Sequence, residues 1–132
     1  MADLTTAYRN AVANYLRGGG APTAISGIFL DLFNGDPQGA GSSVLATLTG
    51  SATRPNITSA IGAASGGAST NAAQIDVEAA ADAGATITHL AVYDAATSGN
   101  LIWSDALTGG NQVVTTGNPI VIPANGLTLT VA

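Results

Sequence analysis

Apolar positions along the chain fall into one helical stretch followed by a series of short extended runs. Leu4, Tyr8, Ala11, Val12, Tyr15 and Leu16 recur at three- and four-residue intervals, which places them on one face of a helix over residues 4–17. Asp3 stands where an N-cap would accept hydrogen bonds from the free first-turn amides. The glycines at 18–20 offer a left-handed stop, and Arg17 suits the negative end of the helix dipole. Pro22 blocks any continuation.

Beyond the helix, residues 27–33 alternate Ile28, Leu30 and Leu32 against Phe29, Asp31 and Phe33. Both faces are largely apolar, as in a strand covered on its two sides. Residues 34–41, rich in Asn, Gly, Asp and Pro, form a turn, and the short apolar run 44–49 reads as a loop or hairpin. Residues 50–70 are mostly Ser, Thr, Ala and Gly with Pro55 and little periodicity, which predicts a long meandering connection. A half-exposed strand is expected over 71–79, with Ile75 and Val77 opposed by Gln74, Asp76 and Glu78, before a turn at 79–84.

The strongest strand signal covers 86–93, with Ile87, His89, Ala91 and Tyr93 on one face and Thr88, Leu90 and Val92 on the other. It should pair as a hairpin with 101–107, which carries Trp103. Runs at 112–116, 120–122 and 127–131 complete about seven or eight short strands at the spacing of a sandwich. The expected fold is mainly β: an antiparallel β-sandwich, with a jelly roll as one form of it, carrying one N-terminal α-helix. A single domain spans 1–132, with the helix and its cap in 1–20 and the sandwich in 24–132.

Charge changes the picture of the surface. Only 8% of residues are charged, against about 25% in an ordinary soluble domain, while 46% are apolar. Lysine is absent, and Arg9, Arg17 and Arg54 are the only basic side chains apart from one histidine. Much of the surface must therefore be Ser, Thr, Asn and Gly or be covered by partners. A net charge of −5 opposes binding to phosphate backbones, so no nucleic acid partner is expected. No run approaches the roughly 20 apolar residues of a spanning helix, so no membrane partner is expected. The N-terminus lacks a signal-peptide pattern, and with no cysteine there is neither a disulfide framework nor a thiolate metal site.

Candidate chemistry is sparse. His89 is the only histidine and has no cysteine or regularly spaced carboxylate beside it, so a packed strand residue explains it better than a ligand. Asp31, Asn34 and Asp36 cluster oxygens near a turn without the spacing of a calcium loop, and turn-making accounts for them. Asp76 and Glu78 share one side of a strand, as solvated residues do. No Gly-x-Ser-x-Gly elbow exists, and a chain without lysine has no phosphate loop. The aromatics Phe29, Phe33, Tyr93 and Trp103 are few enough to be needed in the core. No catalytic residue, cofactor or metal is expected. The expected interface residues are Tyr8 and Tyr15, which can cover the sandwich or dock on a neighbouring subunit, together with Arg9, Arg17 and Arg54.

The second half carries a resemblance. The run from Ile87 through Trp103 to Ser104, the Ala-Leu-Thr at 106–108 and the Ile-Pro-Ala-Asn-Gly-Leu-Thr-Leu-Thr at 122–130 resemble a family of small virion proteins of tailed bacteriophages. Asn14-Tyr15-Leu16 before the glycines and the segment 28–37 are similar to that family's opening helix and first strand. The likeness covers most of the chain outside 50–70. Members are usually labelled tail fibre proteins, and similar short chains decorate heads. The resemblance implies a virion structural protein rather than an enzyme. The leading expectation is a capsid decoration, or cement, protein. It would sit as a homotrimer on the outer surface of the phage head and clamp the major capsid protein. The alternative is a tail-fibre or tail-tip module that binds a host receptor.

Overall fold

The computed structural model describes residues 3–77, 84–107, 110–115 and 118–130. A five-stranded antiparallel sheet is built from β1 (Asp3–Leu4), β2 (Phe29–Asn34), β3 (Ser42–Ser43), β7 (His89–Tyr93) and β8 (Leu101–Ala106), in the order β1-β8-β7-β2-β3. The remaining strands are β4 (Ala68–Thr70), β5 (Ile75–Val77), β6 (Ala85–Ile87), β9 (Gln112–Val114), β10 (Ile120–Ile122) and β11 (Thr128–Thr130). They pair as three antiparallel ribbons, β10 with β5, β11 with β4 and β6 with β9. The expectation of a mainly β, antiparallel, sandwich-like fold with one long N-terminal helix holds, with a second layer divided into ribbons rather than forming one continuous sheet.

The core follows from the two-residue period of the strands. Leu30 and Leu32 on β2, Leu90 and Val92 on β7 and Leu4 on β1 meet Ile75, Val77, Ile122, Leu127 and Leu129 in one apolar cluster. Trp103 spans the layers, donating from its indole nitrogen to the Thr130 carbonyl at 2.9 Å. Across the sheet, Asp31 stands opposite Ala91 and Ala91 opposite Ser104, so the three share the other face. That face is also covered, with Asp31, Ala91 and Ser104 all buried. The two-sided burial expected of 27–33 is thus observed.

Three local departures from the expected elements have identifiable causes. The helix α1 (Thr6–Leu16) begins later than expected because Asp3 and Leu4 pair with Ser104 and Trp103 at the sheet edge. Thr5 occupies the N-cap position, yet its hydroxyl donates to the Leu101 carbonyl instead of capping the helix. The run 44–49 is neither loop nor hairpin but contains a short helix, α2 (Leu45–Thr49). Leu45 and Leu48, three apart, are buried on one face, and Gly50 stops it at φ 75°. The expected continuous strand 86–93 is two strands. Thr86 pairs with Val113 in the ribbon, whereas His89 pairs with Phe33 and Ala106 in the main sheet. Between them, the Thr88 amide donates to the Phe33 carbonyl at 2.9 Å and its hydroxyl accepts from the Gly35 amide at 2.6 Å. The change of sheet lets Ile87, Leu90 and Val92 enter one core, which a regular strand cannot do.

The meandering segment is held by two polar hubs. Arg54 donates from Nε to Asp31 at 2.8 Å and from Nη1 to the Ala95 and Ser98 carbonyls, with its guanidinium 3.6 Å above the centre of the Tyr93 ring. Asn71 is fully buried. Its amide donates to the Ala73 and Pro123 carbonyls and accepts from the Leu127 amide, tying residues 71–73 to the turn before β11.

Removing Arg54 leaves the Asp31 carboxylate buried without its cation, so Arg54→Met is expected to lower unfolding free energy by about 3 kcal/mol. The Asp31→Asn/Arg54→Met pair should recover part of that loss in urea unfolding. Equal stability of the single and double variants would show that the charge itself is unimportant. Asn71→Ala strips partners from three backbone groups and is expected to cost about 2–3 kcal/mol in the same assay.

Candidate binding groove

Two concavities of contrasting chemistry stand out among the described residues. One, of about 440 Å³, lies between β9 and β10 and is lined mainly by aliphatic side chains including Leu90, Val113 and Val121. The other, of about 730 Å³, is an open groove between α1, residues 22–26 and the turn at 94–100. Only the second combines an aromatic ring, a carboxylate, an amide and hydroxyls, and its polar groups are fixed by bonds between segments distant in sequence.

The groove is built from the turn upward. Asp94 accepts from the Asn100 backbone amide at 2.6 Å and from the Asn100 side-chain nitrogen at 3.0 Å. Across the groove Tyr8 donates its phenol proton to Asp94 at 2.9 Å. Gly99 sits at φ 76°, and a Cβ there would lie 2.5 Å from the Asp94 carboxylate, so the close turn requires glycine. Ser98 takes φ 53°, an uncommon conformation for a residue with a side chain. Arg54 holds it there from beneath through the Ala95 and Ser98 carbonyls and through its own amide, which donates to Ala96.

These bonds set the protonation states. The Asn100 backbone bond is the chief influence holding the Asp94 carboxyl below its ordinary range, with Asn100 and Tyr8 side chains adding to it against the opposing effect of burial. Burial, reinforced by the neighbouring Asp94 carboxylate, pushes the Tyr8 phenol up to about 12. Tyr8 is therefore a neutral donor and Asp94 an anionic acceptor at neutral pH. Burial raises the Tyr93 phenol too, against the pull of Arg54.

The five expected interface residues divide. Tyr8 is half-buried in the groove wall, while Tyr15 is 54% exposed on the free end of α1, next to Leu16 at 77%. Arg9 donates to the Leu4 carbonyl and Arg17 to Asn14, both at the surface. Arg54 is turned inward, its side chain only 13% exposed. The structure brings Tyr8 to Asp94 and Asn100, which sequence reading did not single out. The signal was the Asp-x5-Asn spacing around Ser-Gly in the hairpin loop.

The other candidates have structural duties. The Asp31 carboxylate pairs with Arg54 and accepts from Ser43, and Asp36 accepts from the Gln38 amide in the turn. Asp76 is exposed and accepts from Gln74, and Glu78 lies outside the described residues. The His89 ring lies 2.8 Å from the Thr88 hydroxyl through Nδ1.

Because Asp94 is more acidic in the fold than in the unfolded chain, its stabilising contribution is present above the unfolded carboxylate pKa. It fades as pH falls through the lower folded value. Tyr8 has the opposite sign, its contribution being complete below pH 10 and lost as pH rises through about 12. An ultraviolet difference titration of wild type against Tyr8→Phe is expected to show the missing phenol ionising near pH 12. A transition near pH 10 would mean that Tyr8 is not bonded to Asp94.

The sequence model of the family described as Podophage GP4 fiber I protein gp80 matches residues 3–130, nearly the whole chain. No significant match to a curated protein accompanies it. The match overturns the expectation of a capsid decoration protein on the outer head, because the family is one of fibre proteins. Turns and core strands mark a virion building block without marking its address. The chain belongs to the Podophage GP4 fiber I protein gp80 family, and it is a structural protein of the bacteriophage virion.

Proposed function

We propose that this chain is a non-catalytic component of a phage tail fibre, acting in attachment to the host surface and in contacts between fibre subunits. The observation that carries the reading is the match to a fibre family over residues 3–130. Physical character supports it. A chain with 8% charged residues and no lysine offers neutral, hydrogen-bonding surface suited to adhesion. Helix α1 contains no buried residue and holds Tyr15 and Leu16 out at its free end, a surface suited to a neighbouring subunit. The polar clusters within the sheet are committed to structural bonds, which supports an adhesive role over a catalytic one.

Gold-labelled antibody against this chain is expected to mark the tail of intact particles in a small number of copies, and particles lacking it should fail to adsorb to host cells. Labelling spread over the head would overturn the assignment.

A further inference from the structure

We infer that the groove between α1, residues 22–26 and the turn at 94–100 is a binding site for a neutral, hydroxyl-rich ligand, a short glycan without acidic groups. This deepens the proposed attachment role and rests on it for the biological source of the ligand. The site itself stands on the groove's chemistry.

The lining selects against charge of one sign. None of the three arginines lines the groove. Arg54 is bound to Asp31, Arg9 to the Leu4 carbonyl and Arg17 to Asn14. A sulfated, phosphorylated or sialylated ligand would meet the Asp94 carboxylate with no cation to offset it. A sugar hydroxyl meets complementary groups instead. The Tyr8 oxygen directs its proton to Asp94 and keeps lone pairs for a hydroxyl donor, while the Asn100 side-chain nitrogen has a second proton beyond the one on Asp94. Thr23 and Ser26, both hydroxyl-bearing, are also among the lining residues.

The same groove supplies apolar surface for the carbon face of a sugar ring. The Tyr8 ring, Pro22 and Ile25, 40% exposed, stand beside the polar groups. A volume of about 730 Å³ suits a short oligosaccharide better than a single sugar. Bonds to Asp94 and Arg54 already fix the turn, so binding does not require it to be ordered, which preserves affinity in a site made of weak contacts.

The test passes the purified protein over an array of immobilised neutral and acidic oligosaccharides. It compares wild type with Tyr8→Ala, Asp94→Asn and Ala7→Trp. Ala7 is exposed on α1 and lines the groove, so Ala7→Trp obstructs part of the groove without removing any atom of the Tyr8, Asp94 and Asn100 bonds. Wild type is expected to be retained by at least one neutral glycan. All three variants should bind it at least about tenfold more weakly, with Ala7→Trp unfolding at the wild-type temperature. Retention on acidic glycans alone, on none, or equally by Ala7→Trp would overturn the site. Tail labelling of the same particles separates the two readings: a labelled tail with an inert groove rejects this site and leaves the fibre assignment standing.

Discussion

The buried pair of Asp31 and Arg54 is the interaction on which the polar half of this structure depends. A carboxylate in the middle of a central strand is costly to bury, and only a well-bonded cation can offset it. Arg54 meets that need with one nitrogen and uses another to hold the turn at 94–100, while its flat face lies on Tyr93. Backbone bonds alongside it link residues 54–57 to the start of β2, with Leu30 donating to Pro55 and Ile57 donating to Ile28. One side chain thus joins the main sheet, the meandering segment and the groove.

From that hub the groove inherits its rigidity. The 94–100 turn is bonded on one side by Asp94 to Asn100 and on another by Arg54, so the strained backbone at Ser98 is held by both. Tyr8 then connects helix α1 to the turn. The helix has 11 residues, too few to be stable alone in water, and none is buried. Its attachment runs through Thr5, Tyr8 and Arg9, near its beginning, which leaves the far end free to present Tyr15 and Leu16.

Much of the architecture was legible because local pattern and tertiary role agree. Strand β2 announces two-sided burial through apolar residues on both faces, interrupted only by Asp31, and Ile75 and Val77 alternate with the exposed Asp76. What escaped reading depends on contacts that local pattern does not contain. The period of two runs unbroken through Thr88, although the chain changes sheets there. Leu45 and Leu48 are too close together to distinguish a single helical turn from a loop. The inward turn of Arg54 depends on a partner 23 residues away, and the part Asp94 plays in the groove depends on a phenol 86 residues away. Function was legible only to the level of virion building block, since core strands and turns serve a head or a fibre alike.

Burial of the Asp31 and Arg54 pair also bears on the media that a virus particle crosses. Mobile ions screen exposed charges over about 10 Å at 0.1 M salt but act far less on a pair shielded from solvent. With side-chain exposures of 13% for Arg54 and 3% for Asp31, little of this pair's attraction is left open to that screening. The contribution of this pair to the fold therefore changes little between dilute and concentrated salt.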